Sequence, residues 1–347
     1  MFLQEIAEIG ILRHSVPCFP FFIAFIIVLR PVRSLLYSLV TSIALFGSFF
    51  LFDSTQAQPQ KTNLSQHSGT TVIRKAIEHF RTVKTIDSKV RMKCRFFGEE
   101  YTGYGFYHEK RLASIQKPAV SPNLFLLVLK IQVDSLSNPE NSSSTLKMVA
   151  NGSYFWKYTN IGNEQRSERV NLETLYDIIA KSNKGNGKDE KSQIADIGGL
   201  TSLGGLEGTL MQMEKFYDFE NAVVENSKLG SENISVWKVS AKLKPARFEA
   251  MNNAMTAGKK SGEMREKTHI PAAMSVYFGK EDLFPYRISY YGGVKENPFD
   301  DSPNIDLEYW NVSINGDDIA TSTFDYRADG MFEEVTEVYA NRILAEE

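Results

Sequence analysis

Residues 278–293, FGKEDLFPYRISYYGG, constrain this chain more than any other stretch. Two short runs flank a charged turn of Lys280, Glu281 and Asp282, and Pro285 opens the second run. That pattern is a β-hairpin. Val276 and Phe278 share one face of the first strand, and Tyr286, Ile288 and Tyr290 share one face of the second. A strand that merely floors a core alternates apolar with polar residues. Here the alternation is only partial, so the apolar face covers either an ordinary core or a cavity for an apolar ligand.

The hairpin has many neighbours of its kind. KVRMKCRFF (89–97) and YTGYGFYHEK (101–110) are strand patterns close enough to pair. LFLLVLKIQVD (124–134) begins apolar on both faces and ends apolar on one. Asn151 and Gly152 sit between two alternating runs in STLKMVANGSYFWKYTN, the strongest short hairpin signal a sequence offers. ISVWKVSAKL, AAMSVYFG, PYRISYY and IDLEYWNVSI follow as further strands. Helical spacing appears at Ile73, Ala76, Ile77 and Phe80, with Thr70 or Thr71 as cap, and in LETLYDIIAK behind Asn171. A last helix is expected to carry Phe332, Val335 and Tyr339. One helix, at least eight antiparallel strands and helices inserted between them predict an α+β fold built on one large curved antiparallel sheet.

The first sixty residues differ in kind. An apolar run from Cys18 to Leu29 precedes Arg30, Pro31 and Arg33, and a second apolar run extends from Leu35 to Phe52. The arginines read as an n-region, the second run as the hydrophobic segment of a signal peptide, and Thr55, Gln56, Ala57 as a cleavage site before Gln58. The alternative is a membrane anchor formed by residues 35–52, whose length approaches the ~20 residues that span a bilayer. Residues 1–57 are thus a signal peptide or membrane segment, 58–70 a flexible lead, and 71–347 one domain with insertions at 183–208 and 245–268. Cleavage would leave Cys94 as the single cysteine, with no intramolecular disulfide, and its strand pattern makes it a small buried apolar residue.

Composition excludes some functions. With 39 Lys+Arg against 42 Asp+Glu there is no basic excess, and nothing favours nucleic acid. No Gly-x-Ser-x-Gly elbow, no histidine pair at ligand spacing and no dinucleotide or Walker loop occurs, so neither catalysis nor a cofactor is expected. A metal site is not expected either: Asp300 with Asp301 and Asp317 with Asp318 are adjacent pairs in loops and read as turn solvation.

Several segments carry a resemblance. AIEHFRTVKTIDSKVRMKC, VANGSYFWKY with ERVNLETLYDII, IGGLTSLGGLEGTLMQMEKFYDF, the 278–293 hairpin and FDYRADGMFEEVTEVYANRI together make residues 71–347 resemble the LolA-like superfamily of periplasmic lipoprotein carriers, especially its longer planctomycete-type members. The resemblance implies an incomplete antiparallel β-barrel with helices packed on its concave side and a cavity that holds acyl chains. Phe125, Trp156, Trp237, Phe278, Ile288 and Leu307 are the candidate lining, with the sheet-to-helix core as the competing reading.

The expectation is an exported, periplasmic, non-enzymatic protein that binds a lipid or lipoprotein acyl chain. A basic flap of Lys259, Lys260, Arg265 and Lys267 would meet anionic head groups. The alternative is an envelope sensor that uses the same fold to dock a protein partner, as in RseB-type regulators. A third reading, a hydrolase, would require His108 or His269 in a cleft beside a carboxylate. The lid arginine of true carriers has no counterpart that maps onto this chain.

Overall fold

The structure, a computed structural model, describes residues 67–96, 99–112, 123–133, 144–161, 164–183, 205–230, 232–247, 271–292, 299, 302–328 and 330–345. The expectations for residues 1–57, the basic flap of Lys259, Lys260, Arg265 and Lys267, and His269 lie outside the described residues.

Thirteen strands form one sheet: β1 (Thr85–Phe96), β2 (Glu99–Arg111), β3 (Asn123–Val133), β4 (Ser144–Ala150), β5 (Tyr154–Ile161), β6 (Glu164–Asn171), β7 (Tyr217–Phe219), β8 (Val223–Leu229), β9 (Glu232–Leu243), β10 (Pro271–Gly279), β11 (Pro285–Gly292), β12 (Ile305–Ile314) and β13 (Glu333–Glu334). Their order is β13-β6-β5-β4-β3-β2-β1-β12-β11-β10-β9-β7, with β8 also on β9. Every pairing is antiparallel except β13 on β6. The sheet is open and does not close into a barrel. With four helices against it, the fold is α+β.

The helices are α1 (Gly69–Phe80), α2 (Leu172–Asn183), α3 (Gly205–Phe216) and α4 (Thr336–Ala345). α1 forms because Val72, Ile73, Ala76, Ile77 and Phe80 fall on one face, and all five are buried. Its first turn begins one or two residues earlier than the sequence suggests. The Ser68 carbonyl accepts from the amides of Thr71 and Val72, so Thr70 and Thr71 lie inside the helix. Gly69 is required there: a Cβ would stand 2.2 Å from the Glu220 carbonyl oxygen, which already accepts the Gly69 amide. α2 starts as expected, with Asn171 Oδ1 accepting from the Thr174 amide at 3.0 Å.

One face of the sheet carries α1 to α4. α1 packs on α3 and with it on β7 and β9; α2 packs on α4 and both rest on β6. A single apolar cluster runs beneath both pairs, from Phe155 and Val170 at one end to Val239 and Leu243 at the other. The opposite, outer face is patchy. Leu124, Leu126, Val149, Trp156 and Phe324 make one small cluster there, roofed by residues 319–328, and Leu229, Val236 and Tyr277 make another.

Residues 278–292 join β10 to β11 in a hairpin. Asp282 organises its turn, accepting from the Phe284 amide at 3.0 Å and from the Tyr286 hydroxyl at 2.7 Å. Leu283 adopts φ 53 to let the chain reverse, and Phe284 folds into the core, fully buried. Val276, Phe278 and Ile288 join the cluster beneath the helices, while Ser275, Tyr277 and Ser289 are buried on the other side. Both faces of the hairpin are covered, which is why its alternation is incomplete.

Two elements depart from expectation. β6, EQRSERVN, has no apolar periodicity, and it is held through Lys157–Glu168 at 2.9 Å and Arg169–Glu334 at 2.8 Å. The last helix begins at Thr336, so Phe332 and Val335 lie outside it and only Tyr339 of the three expected residues lies within. Glu333 and Glu334 pair in parallel with β6, and the Thr336 hydroxyl accepts the Asn171 amide at 2.8 Å, so the helix can start only after that crossing.

Candidate functional site

Strand parity places the candidate lining residues. Phe125, Phe278, Ile288 and Leu307 meet in the cluster beneath the helices. Trp237 packs against its rim, with His67 edge-on at 4.9 Å and the Lys280 ammonium 5.5 Å from its ring centre. Trp156 does not join them. It is opposite Val149 in the ladder, Val149 is opposite Leu126, and all three belong to the outer cluster. Its neighbour Phe155 holds the inner position instead. On the outer face Arg169 lies over Phe332 at 4.1 Å, Tyr154 at 4.8 Å and Trp156 at 5.5 Å, clamping residues 331–334 to the sheet.

Beneath the helices an aromatic row crosses the sheet. Ring centres step from Phe155 to Phe125 (6.1 Å), Tyr107 (6.4 Å), Tyr309 (6.0 Å), Phe284 (5.6 Å) and Phe80 of α1 (6.0 Å). At the other end Tyr339 of α4 is 6.3 Å from Phe155. The row therefore links one helix pair to the other. It ends on the β5–β6 side at a row of charges, Lys157, Glu168, Arg166 and Glu333.

One carboxylate interrupts this apolar floor. Glu109 of β2 shares the inner face with Tyr107 and is buried. The Tyr107 hydroxyl donates to its Oε2 at 2.5 Å, and the Leu206 amide, in the first turn of α3, donates to the same oxygen at 3.1 Å. The Leu206 amide also reaches the Tyr107 hydroxyl oxygen at 3.1 Å. Two otherwise orphaned groups, a helix-terminal amide and a buried carboxyl, satisfy each other. Gly205 has φ +68, and a Cβ on it would stand 2.6 Å from the Glu109 carboxylate, so only glycine permits this approach. Burial pushes the Glu109 carboxyl up to about 7, against the Tyr107 and Leu206 hydrogen bonds and Arg111, which favour the charged form. Burial and the neighbouring carboxylate raise the Tyr107 phenol as well.

The next residue of α3 extends the attachment. Glu207 binds Arg81, just past the end of α1, at 3.1 Å, and also pairs with Arg111 of β2. Arg111 reaches the Phe80 carbonyl at 3.3 Å. The first turn of α3 is thus latched to β2 and α1 by polar contacts, while the body of the helix lies on apolar surface. Its chemistry is that of a fastening. Among the described residues no cluster of His, Cys, Asp and Glu is arranged to hold a metal. His108, the one hydrolase candidate described, has Nδ1 3.4 Å from Asp87 and stacks on Phe106, on the outer face. Sequence reasoning missed Glu109, Tyr107 and Leu206. β2 carries aromatic rings at both parities, so its inner face cannot be told from its outer face by pattern.

No family model matches the chain, and no curated protein matches it. Among solved structures it is similar to a DUF1329 family protein from Desulfovibrio piger (12% identity, 74% of this chain and 96% of that one, TM-score 0.30). It is also similar to a putative outer membrane lipoprotein-sorting protein domain from Vibrio parahaemolyticus (9%, 73% and 95%, TM-score 0.27). A third is the Pseudomonas aeruginosa MucA/MucB complex (6%, 75% and 61%, TM-score 0.34). Among the described residues no helix is long and apolar enough to cross a membrane.

Proposed function

We propose that this chain is an exported, non-enzymatic protein that binds a lipid or lipoprotein acyl chain between the helix-bearing face of its sheet and the helices. The observation that carries the reading is the continuous apolar floor, crossed by its aromatic row and covered by two helix pairs anchored at different strands. A second sheet would close such a floor permanently, whereas helices held at one end by a few polar contacts can separate from it. An acyl chain entering there would replace helix side chains against Phe125, Phe278, Ile288 and Leu307. The similarity to a lipoprotein-sorting domain points the same way.

Native mass spectrometry with organic extraction, on protein exported to a bacterial periplasm, tests this. Co-purified lipid near one per chain is the expected result. A folded, lipid-free protein that acquires no acyl chain when offered one would overturn the reading and favour partner docking.

A further inference from the structure

On β2 the rings that point outward are the unusual ones. Gly103, Gly105, Tyr107 and Glu109 face inward, and Tyr104 and Phe106 face out, 50% and 37% exposed, whereas most aromatic side chains among the described residues are buried or half-buried. Gly105 has no alternative, because a Cβ there would lie 1.6 Å from the Val128 carbonyl oxygen. The strand is pressed so tightly to β3 that its bulk stands on the water side.

Three of the four cross-strand neighbours of these rings are cations, the fourth being Val128 beside Phe106. Phe106 is opposite Lys89, Tyr104 is flanked by Arg91 on β1 and Lys130 on β3, and Lys93 is one pair further along β1. Lys89, Lys93 and Lys130 are exposed. The carboxylates of the same face are already engaged. Glu308 takes Arg91 and the Gly230 amide, Asp306 binds Arg287 through both oxygens at 2.7 Å, Glu100 binds Arg95, and Asp87 faces His108. The three lysines have no carboxylate partner among the described residues, although the whole chain carries a net charge of −3. The positive potential is therefore local, concentrated around two rings.

We infer that the outer face of β1–β3 docks on an anionic lipid surface, with Tyr104 and Phe106 at head-group level and Lys89, Lys93 and Lys130 against phosphates. Interfacial rings surrounded by lysines are what a bilayer surface selects. β2 is hydrogen-bonded along its length to β1 on one side and β3 on the other, so it offers no free edge to an extended peptide. The inference is independent of any acyl chain under the helices, since it concerns the other face.

The test is co-sedimentation of the exported protein with vesicles of phosphatidylcholine alone and of phosphatidylcholine and phosphatidylglycerol in equal parts. An apolar anchor elsewhere in the chain would bind both, so the preference for anionic vesicles is the reading that counts. The expected result is a preference that falls on the order of a hundredfold in the Lys89→Ser, Lys93→Ser, Lys130→Ser variant. Tyr104→Ser with Phe106→Ser should weaken binding to both compositions while circular dichroism stays native. Equal binding of wild type to both vesicles, or a preference that survives the lysine changes, overturns the inference. So does capture of polyglutamate in place of anionic vesicles.

Discussion

The two faces of the sheet solve the same problem in opposite ways. Under the helices, apolar side chains from most strands merge into one cluster, and Glu109, the one buried carboxylate there among the described residues, serves as a latch. The outer face is broken into two small apolar clusters, with ion pairs between them such as Arg287–Asp306 and Arg91–Glu308. A face that must receive helices needs unbroken apolar area, because area removed from water is what holds them. A face that meets water can use charge, which holds strands in register but contributes less per contact.

Truncating a side chain on each face in turn separates them most clearly. Phe278→Ala and Phe155→Ala, both fully buried beneath the helices, should each cost about 3–5 kcal/mol in denaturant unfolding. Phe106→Ala on the outer face should stay within about 0.5 kcal/mol. Equal costs would mean that the outer face is as much core as the inner one.

Glu109 provides the next test. Its folded value of about 7 lies above the ordinary 4.5, so the folded state holds its proton more tightly than the unfolded chain. That contribution is fully present below about pH 4.5 and is lost as pH rises to about 7, on the order of 3 kcal/mol in all. Glu109→Gln should flatten the stability profile across this window while keeping an acceptor for Tyr107 and Leu206. Hydrogen-exchange protection factors at the start of α3, taken relative to the intrinsic rate at each pH, should fall with rising pH in the wild type and stay level in the variant. An unchanged profile would remove the carboxylate from the latch.

Charge on the outer face should matter less. Arg287→Ala leaves Asp306 with Ser289 alone, and about 1–3 kcal/mol is expected. Adding Asp306→Ala should recover part of that loss, as a double-mutant cycle would show. Arg169→Ala should cost about 1 kcal/mol or less, read as faster hydrogen exchange at residues 331–336 with global stability nearly unchanged.

The same contrast explains what could be read in the sequence. Wherever a strand has one wet face, alternation exposes it, and the Asn151–Gly152 hairpin and β12 are plain at sight. The Asn171 cap is equally direct. Trp156 is a candidate lining residue in the sequence, yet register gives the inner position to Phe155 one place away. β6 is invisible to hydropathy because its partners are charges supplied by β5 and by the distant residues 333–334. Glu109 is hidden for a related reason. Its burial depends on Gly205 meeting it from far along the chain, and no local pattern encodes that meeting.

Strand order has a kinetic consequence. β1 to β6 form one continuous meander and β9 to β12 another, each built from neighbours in sequence. Among the described residues the two meanders pair along one ladder, running from Ile86 opposite Ile314 to Cys94 opposite Ile305, and β13 crosses to β6. Hairpins within each half close small loops and form early. The seam must close a loop of most of the described chain, and that entropy is recovered only when its whole ladder registers. Until the last strand arrives, β1 is a bare edge with Lys89, Lys93 and Arg95 on its water side, and those charges keep a half-folded molecule from pairing with another copy of itself.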